Sequence, residues 1–248
     1  SAVGVVRSMS VSLLQLSDPH LLADPKGRHC DVAARPALQR ALSEGFSQCP
    51  NSPDLLLISG DLCQDESWLG YVALRDLLQQ LPQPVALLPG NHDQPQLLRS
   101  CLGRSAHVAP ALVSLGNWQL LLLDSHCAGQ IPGRLEQSQL RWAEAMLRES
   151  ASPVLVAVHH PIEDFSPASA WLERLAASGR LRLVLVGHIH QHRDEHLGDI
   201  QLLGCPSTLV QFPPRQSCPL GRPQDPGGRW VQLHPDGRWD DLLLRWAA

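Results

Sequence analysis

Aspartate and histidine recur in this chain as short spaced groups: Asp18-Pro19-His20, Gly60-Asp61, Gly90-Asn91-His92-Asp93, His159-His160-Pro161 and Gly187-His188-Ile189-His190. Carboxylate with imidazole is a ligand set for divalent transition ions such as Mn, Fe and Zn, whereas magnesium alone prefers oxygen. These residues outnumber the needs of one ion. Alternate residues just beyond a strand, as in Asp18 and His20, can face the same ion. In His188 and His190 a small backbone bend lets each serve a different one. Asp61 follows a glycine, which allows close approach of the backbone, and a lone carboxylate there can bridge two ions. Two ions about 3.5–4 Å apart are the usual equipment for in-line displacement at phosphorus.

Each group follows a short apolar run. The runs VSLLQL (11–16), DLLLIS (54–59), PVALLP (84–89), PVLVAVHH (153–160) and RLVLVGHIH (182–190) are bounded by Gly, Pro and Asp and read as buried strands. WQLLLLD (118–124) reads as another. Helical spacing is expected over about 33–48, 67–80, 95–102, 135–149 and 168–178. Strand then helix, repeated, predicts a parallel sheet with crossover helices, and ligands gather at the carboxyl edge of such sheets. Five strand ends would then bring the Asp, Asn and His groups together. After Gly198 the expectation is short strands: DIQLLG, STLVQF, RWVQLH and RWDDLLLRW. His234-Pro235-Asp236-Gly237 is a hairpin turn between the last two, and 213–228 is a Pro- and Gly-rich loop.

The chain has 248 residues, 44% of them apolar and 18% charged, with a net charge of −4. That excludes a disordered chain and argues against a broad basic nucleic-acid face. No apolar run approaches the roughly 18 residues of a membrane span. Seven scattered cysteines with no CxxC predict reduced thiols and a cytoplasmic protein. We expect an N-terminal extension over 1–10, with Met9 reading as a natural start, and a single domain over 11–248.

In their order, the five motifs resemble those of calcineurin-like metallophosphoesterases. SGDLCQD (59–65), LPGNHD (88–93), GRLEQSQLRW (133–142), PSTLVQF (206–212) and LHPDGRW (233–239) are similar to the bacterial class III 3',5'-cyclic nucleotide phosphodiesterases. The resemblance implies an α/β fold, a four-layer α/β/β/α sandwich with the site at the strand C-terminal ends. It implies two ions (Mn, Fe or Zn), one held by Asp18, His20, Asp61 and His190, the other by Asp61, Asn91, His159 and His188. A bridging hydroxide would attack phosphorus. Asn91 and His92 would face the substrate, and His92 would protonate the leaving oxygen or stabilise its charge, with Asp93 orienting it. The implied enzyme is a metal-dependent phosphodiesterase converting 3',5'-cyclic AMP to 5'-AMP, as a monomer or homodimer with a small-molecule substrate. The alternatives are a 2',3'-cyclic phosphodiesterase, a nucleotide pyrophosphatase, a phosphomonoesterase or, remotely, a non-catalytic binding scaffold. One departure is visible: only IEDFSP separates Pro161 from the helix near 168, and Ile162 stands where the subfamily has a second proline.

Outside the motifs, His29, His107, His126, His192, His196 and His234 are expected on the surface or in loops. His160 is expected to hydrogen-bond beside the ligands, Cys63 to be a packed thiol, and Asp65 to cap the helix that begins near Ser67. Asp124 is expected to hydrogen-bond in a turn, and Arg215 and Arg222 to be solvated loop charges.

Overall fold

The computed structural model describes residues 9–165 and 168–248. Most of the expected extension, and Ser166-Pro167 of the short segment, lie outside these residues. The first half runs β1 (Val11–Leu16), β2 (Arg28–His29), β3 (Val32–Ala33), α1 (Ala34–Gln48), β4 (Leu55–Ile58), α2 (Trp68–Leu78), β5 (Val85–Leu87), α3 (Pro95–Leu102) and β6 (His107–Val108). The second runs β7 (Ala111–Leu115), β8 (Trp118–Leu123), α4 (Gln137–Leu147), β9 (Val154–Val158), a 3-10 turn (Ile162–Phe165), α5 (Ser169–Ala177) and β10 (Leu181–Val186). Four strands close the chain: β11 (Arg193–Leu197), β12 (Ile200–Gly204), β13 (Gly227–Leu233) and β14 (Trp239–Arg245).

Two six-stranded sheets form, ordered β14-β13-β1-β4-β5-β6 and β11-β12-β10-β9-β8-β7. The central strands β1, β4 and β5 run parallel, as do β8, β9, β10 and β12, while β13 and β7 join antiparallel. The mostly apolar runs have a simple cause: these central strands are buried on both faces. In β4, Leu55 and Leu57 point between the sheets, where Leu13, Trp118, Leu155, Leu183 and Val231 meet them. Leu56 and Ile58 point the other way, onto Leu38, Leu42, Leu74 and Leu98 of α1, α2 and α3. On the far side Val156, Val158, Val184 and Val186 pack against Leu140, Leu147 and Leu172 of α4 and α5. Three apolar layers between four structural layers make the α/β/β/α sandwich expected above.

STLVQF is not a strand. Its backbone bonds to the ends of other strands: Thr208 N–H donates to the Ser17 carbonyl (3.0 Å) and Phe212 N–H to that of His190 (3.3 Å). β7 and β11, both at the edge of the second sheet, were not expected. In β11 the exposed residues and the charges in Arg193-Asp194-Glu195 hide the apolar signature of a strand. Ser67, not Asp65, caps α2, accepting from Gly70 N–H at 3.0 Å. Asp65 instead accepts from Ser67 Oγ (2.6 Å) and from Ala23 N–H (2.9 Å).

Candidate metal centre

Asp18 and His20 follow β1, Asp61 follows β4, and Asn91 and His92 follow β5. His159 follows β9, and His188 and His190 follow β10. These are neighbouring central strands of the two sheets, so all five loops open on one edge. The backbone bends sharply there. Asp18 (φ 54°), His20 (46°), Asp61 (48°), His188 (68°) and His190 (48°) all adopt the left-handed region that L-residues avoid. Such conformations cost about 1–3 kcal/mol each and persist where surrounding structure enforces them. Hydrogen bonds enforce them here: Asp18 N–H donates to the Gly60 carbonyl (3.1 Å) and His20 N–H to that of Asp61 (3.0 Å). Gly60 (φ 100°) is required at its position, since a Cβ would stand 2.2 Å from His159 Nδ1.

The donor atoms fall into two groups that meet at Asp61. In one, His20 Nε2 lies 3.1 Å from His190 Nε2, and His190 Nε2 lies 3.2 Å from Asp18 Oδ1. In the other, Asn91 Oδ1 lies 3.0 Å from His188 Nδ1 and 3.3 Å from His159 Nε2. Asp61 Oδ2 stands 3.9 Å from His20 Nε2 and 3.5 Å from His159 Nε2, between the two groups. Atoms bound to one ion at about 2.0–2.2 Å stand on the order of 3–3.5 Å apart, so each group has the spacing of a coordination shell.

The outward nitrogens fix how the rings present themselves. His159 Nδ1 donates to the Ser59 carbonyl (2.7 Å) and His190 Nδ1 to that of Val210 (2.8 Å). His20 Nδ1 pairs with Gln64 Oε1 (2.7 Å). Carbonyls only accept, so the proton of a neutral His159 or His190 sits on Nδ1 and the inward Nε2 is a bare lone pair. Lone pairs of buried carboxylates, an amide oxygen and imidazoles then converge on the same two points. A cation, or protons in its place, must balance them, and the residues present therefore fit metal ions.

The electrostatics agree. Burial opposes ionisation of Asp61, but the adjoining His159 outweighs this and holds its carboxyl far below the usual carboxylate range. Asp18 is lowered in the same way by His190. Burial works against a charged His159, yet Asp61 pushes it up to about 9, and His190 is raised by Asp18. Burial pushes His20 and His188 down to about 4. Burial thus favours the neutral, ligating form of His20 and His188, while the facing carboxylates favour the protonated form of His159 and His190.

Among the other expected residues, His92 donates its backbone N–H to Asp61 Oδ1 (2.9 Å), and its ring stands edge-on to that of His20 with centroids 5.4 Å apart. It lines a cleft of about 400 Å³ that also touches Asn91, Gln94 and Ile131. Asp93 does not orient it. The Asp93 carboxylate is buried and accepts from Leu62, Cys63 and Gly90 N–H and from Tyr71 Oη (2.8 Å). It ties the Asp61 loop to the Gly90–Asp93 turn. Both ring nitrogens of His160 are engaged, as expected: its Nδ1 pairs with Ser125 Oγ (2.7 Å) and its Nε2 with the Ile131 carbonyl (2.9 Å). Cys63 is a packed, buried thiol, and Asp124 accepts from His126 N–H (2.9 Å) and Arg99 (2.7 Å).

Sequence reasoning missed four contributors. His29 stacks on His20 (centroids 4.8 Å, 20° between planes) and Phe212 on His190 (4.1 Å, 1°). His126 pairs with the Gly90 carbonyl (3.0 Å) and lines the cleft, and Gln64 holds His20. Gln64 and Phe212 carried a signal, inside SGDLCQD and PSTLVQF. His29, in the short strand β2, and His126, on a loop, stand at spacings to the motifs that have no fixed meaning.

Comparison with known proteins follows the same line. The family model described as calcineurin-like phosphoesterase matches residues 11–192. A protein of a Synechococcus species named as a probable cyclic nucleotide phosphodiesterase is 44% identical, covering 95% of this chain and 97% of that protein. The 3',5'-cyclic adenosine monophosphate phosphodiesterase CpdA of Pseudomonas aeruginosa is 34% identical, covering 95% and 90%. Among solved structures, the phosphopantetheinyl hydrolase of Mycobacterium tuberculosis shares the fold, with a TM-score of 0.54 at 14% identity, covering 86% of this chain and all of that one.

Proposed function

We propose that this chain, which belongs to the calcineurin-like phosphoesterase family, is a dimetal phosphodiesterase that hydrolyses 3',5'-cyclic AMP to 5'-AMP. The observation that carries the chemistry is the meeting of two donor groups at Asp61 Oδ2. Similarity along nearly the whole chain to proteins named for cyclic nucleotide hydrolysis supports the substrate. Asp18, His20, Asp61 and His190 would hold one ion, and Asp61, Asn91, His159 and His188 the other. The nitrogen and oxygen donors suit Mn, Fe or Zn. Bound ions supply an activated water and neutralise charge on the phosphate oxygens.

The chain's own residues do the rest. Gln64, the Ser59 carbonyl and the Val210 carbonyl aim three of the imidazoles. The backbone N–H of His92 holds Asp61, and its side chain stands beside His20 and lines the cleft. From there it donates a proton to the departing 3' oxygen of the ribose, a step worth about 10²–10⁴ in rate. A cytoplasmic setting belongs to the same reading, supported by seven cysteines that are all unpaired among the described residues. No described helix is long and apolar enough to cross a membrane.

The test is His92→Ala. The variant should retain two metal equivalents by elemental analysis while kcat falls a hundredfold or more. Unchanged turnover removes His92 from the mechanism.

A further inference from the structure

Beside the metal centre, the cleft of about 400 Å³ runs from Asn91 and His92, past Gln94, to a wall formed by residues 126–131. Its size falls within the roughly 300–1,000 Å³ of small-molecule sites. We propose that this cleft takes the nucleoside of the substrate and that His126 reads the base, accepting a hydrogen bond from an exocyclic amine through Nε2. This rests on the reading of the site as a nucleotide phosphodiesterase.

His126 is set up for one kind of contact. Its Nδ1 lies 3.0 Å from the Gly90 carbonyl, which can only accept, so Nδ1 carries the proton. In the neutral ring Nε2 is then an acceptor. No hydrogen bond to that nitrogen exists among the described residues, while the ring lines the cleft. A lone pair there attracts an N–H donor and repels a carbonyl oxygen. An adenine, with its amine, is favoured over a hypoxanthine, which carries oxygen at the same carbon. Ile131 stands at the same wall with 70% of its surface exposed, an apolar side chain against which a flat base can lie.

The wall is held in place. The ring of His160 bonds Ser125 Oγ on one side and the Ile131 carbonyl on the other. Gly133 lies against that ring so closely that a Cβ would stand 2.4 Å from it. Asp124 accepts from the His126 N–H at 2.9 Å. His160 adjoins His159, so the wall and the metal centre share one foundation at the end of β9. The leaving 3' oxygen belongs to the ribose, so a phosphate at the donor groups with its leaving oxygen at His92 sends the nucleoside to this side.

The experiment is calorimetric binding of 5'-AMP, 5'-IMP and ribose 5-phosphate to the Mn-loaded protein and to His126→Asn. Asparagine's Nδ2 keeps the donor to Gly90 but removes the distal acceptor. The wild type should bind AMP at least about fivefold tighter than IMP, the range of one hydrogen bond. In the variant that preference should disappear while ribose 5-phosphate binds within twofold of the wild type. Equal binding of AMP and IMP by the wild type overturns the proposal, and this arm decides even if the variant does not fold. Equal weakening of all three ligands in a folded variant also overturns it. Absence of cyclic AMP turnover in a wild type that still prefers AMP would instead count against the proposed function alone.

Discussion

Loading ions into this site at neutral pH must release protons, and the structure says from where. His20 and His188, pushed down to about 4 by burial, are neutral at pH 7 and ligate without losing anything. His159 is different: against the penalty of burial, Asp61 pushes it up to about 9, so at pH 7 the protonated form predominates in the metal-free protein. His190 is raised in the same direction by Asp18. An ion entering at His159 displaces that proton, at a cost on the order of 3 kcal/mol at pH 7. Its apparent affinity should therefore rise about tenfold per pH unit from 6 to 8, and more steeply where His190 also gives up a proton. The linkage to stability has the opposite sign in the metal-free protein. A raised imidazole stabilises the fold fully below its ordinary value near 6.5, and that contribution is lost as pH climbs through about 9. The assay is calorimetric titration of Mn into chelator-stripped protein at pH 7, in buffers of different ionisation enthalpy. The difference in heats should give between about one and two protons released. Zero protons, or an affinity flat between pH 6 and 8, would refute the reasoning.

Other consequences are more local. Gly60→Ala places a Cβ 2.2 Å from His159 Nδ1 on a left-handed backbone, so His159 must move. Bound metal should fall from two equivalents toward one by elemental analysis, and full occupancy would contradict the assignment of His159. Asp93→Ala leaves Leu62, Cys63 and Gly90 N–H and the Tyr71 hydroxyl without their acceptor. With about 1–3 kcal/mol for each buried group left unmade, the melting temperature should drop by several degrees or more, and an unchanged melting curve would count against that role. Arg193 is buried and bridges Glu163, in the short turn after His159-His160-Pro161, to Glu195 in β11. Arg193→Leu should destabilise by about 1–3 kcal/mol in a denaturant titration, and no shift in the midpoint would mean the turn is held otherwise.

The elements around the site were legible because one physical cause wrote them. β1, β4, β5, β9 and β10 are buried on both faces, so each reads as a mostly apolar run, and the motif residues sit just past each run. The helices were legible because each buries one face only. STLVQF misled because a short segment with β-branched and apolar residues can lie across strand ends without joining a ladder: it offers the Val210 carbonyl to His190. Within the site, the sequence marks what a side chain is and not where its atoms turn. Asp93 lies next to His92 in the chain, yet its carboxylate faces the backbone of the Asp61 loop. His126 carries no motif, and only the fold brings it to the Gly90 carbonyl.

The most direct test of the account is a set of initial rates with added Mn, comparing 3',5'-cyclic AMP, 2',3'-cyclic AMP, bis(p-nitrophenyl) phosphate, p-nitrophenyl phosphate and ADP-ribose. The account predicts that 3',5'-cyclic AMP is preferred, with a kcat/KM of about 10⁴ M⁻¹s⁻¹ or more and 5'-AMP as the product. Turnover of the artificial diester without 3',5'-cyclic AMP would leave the metal chemistry standing and contradict the substrate.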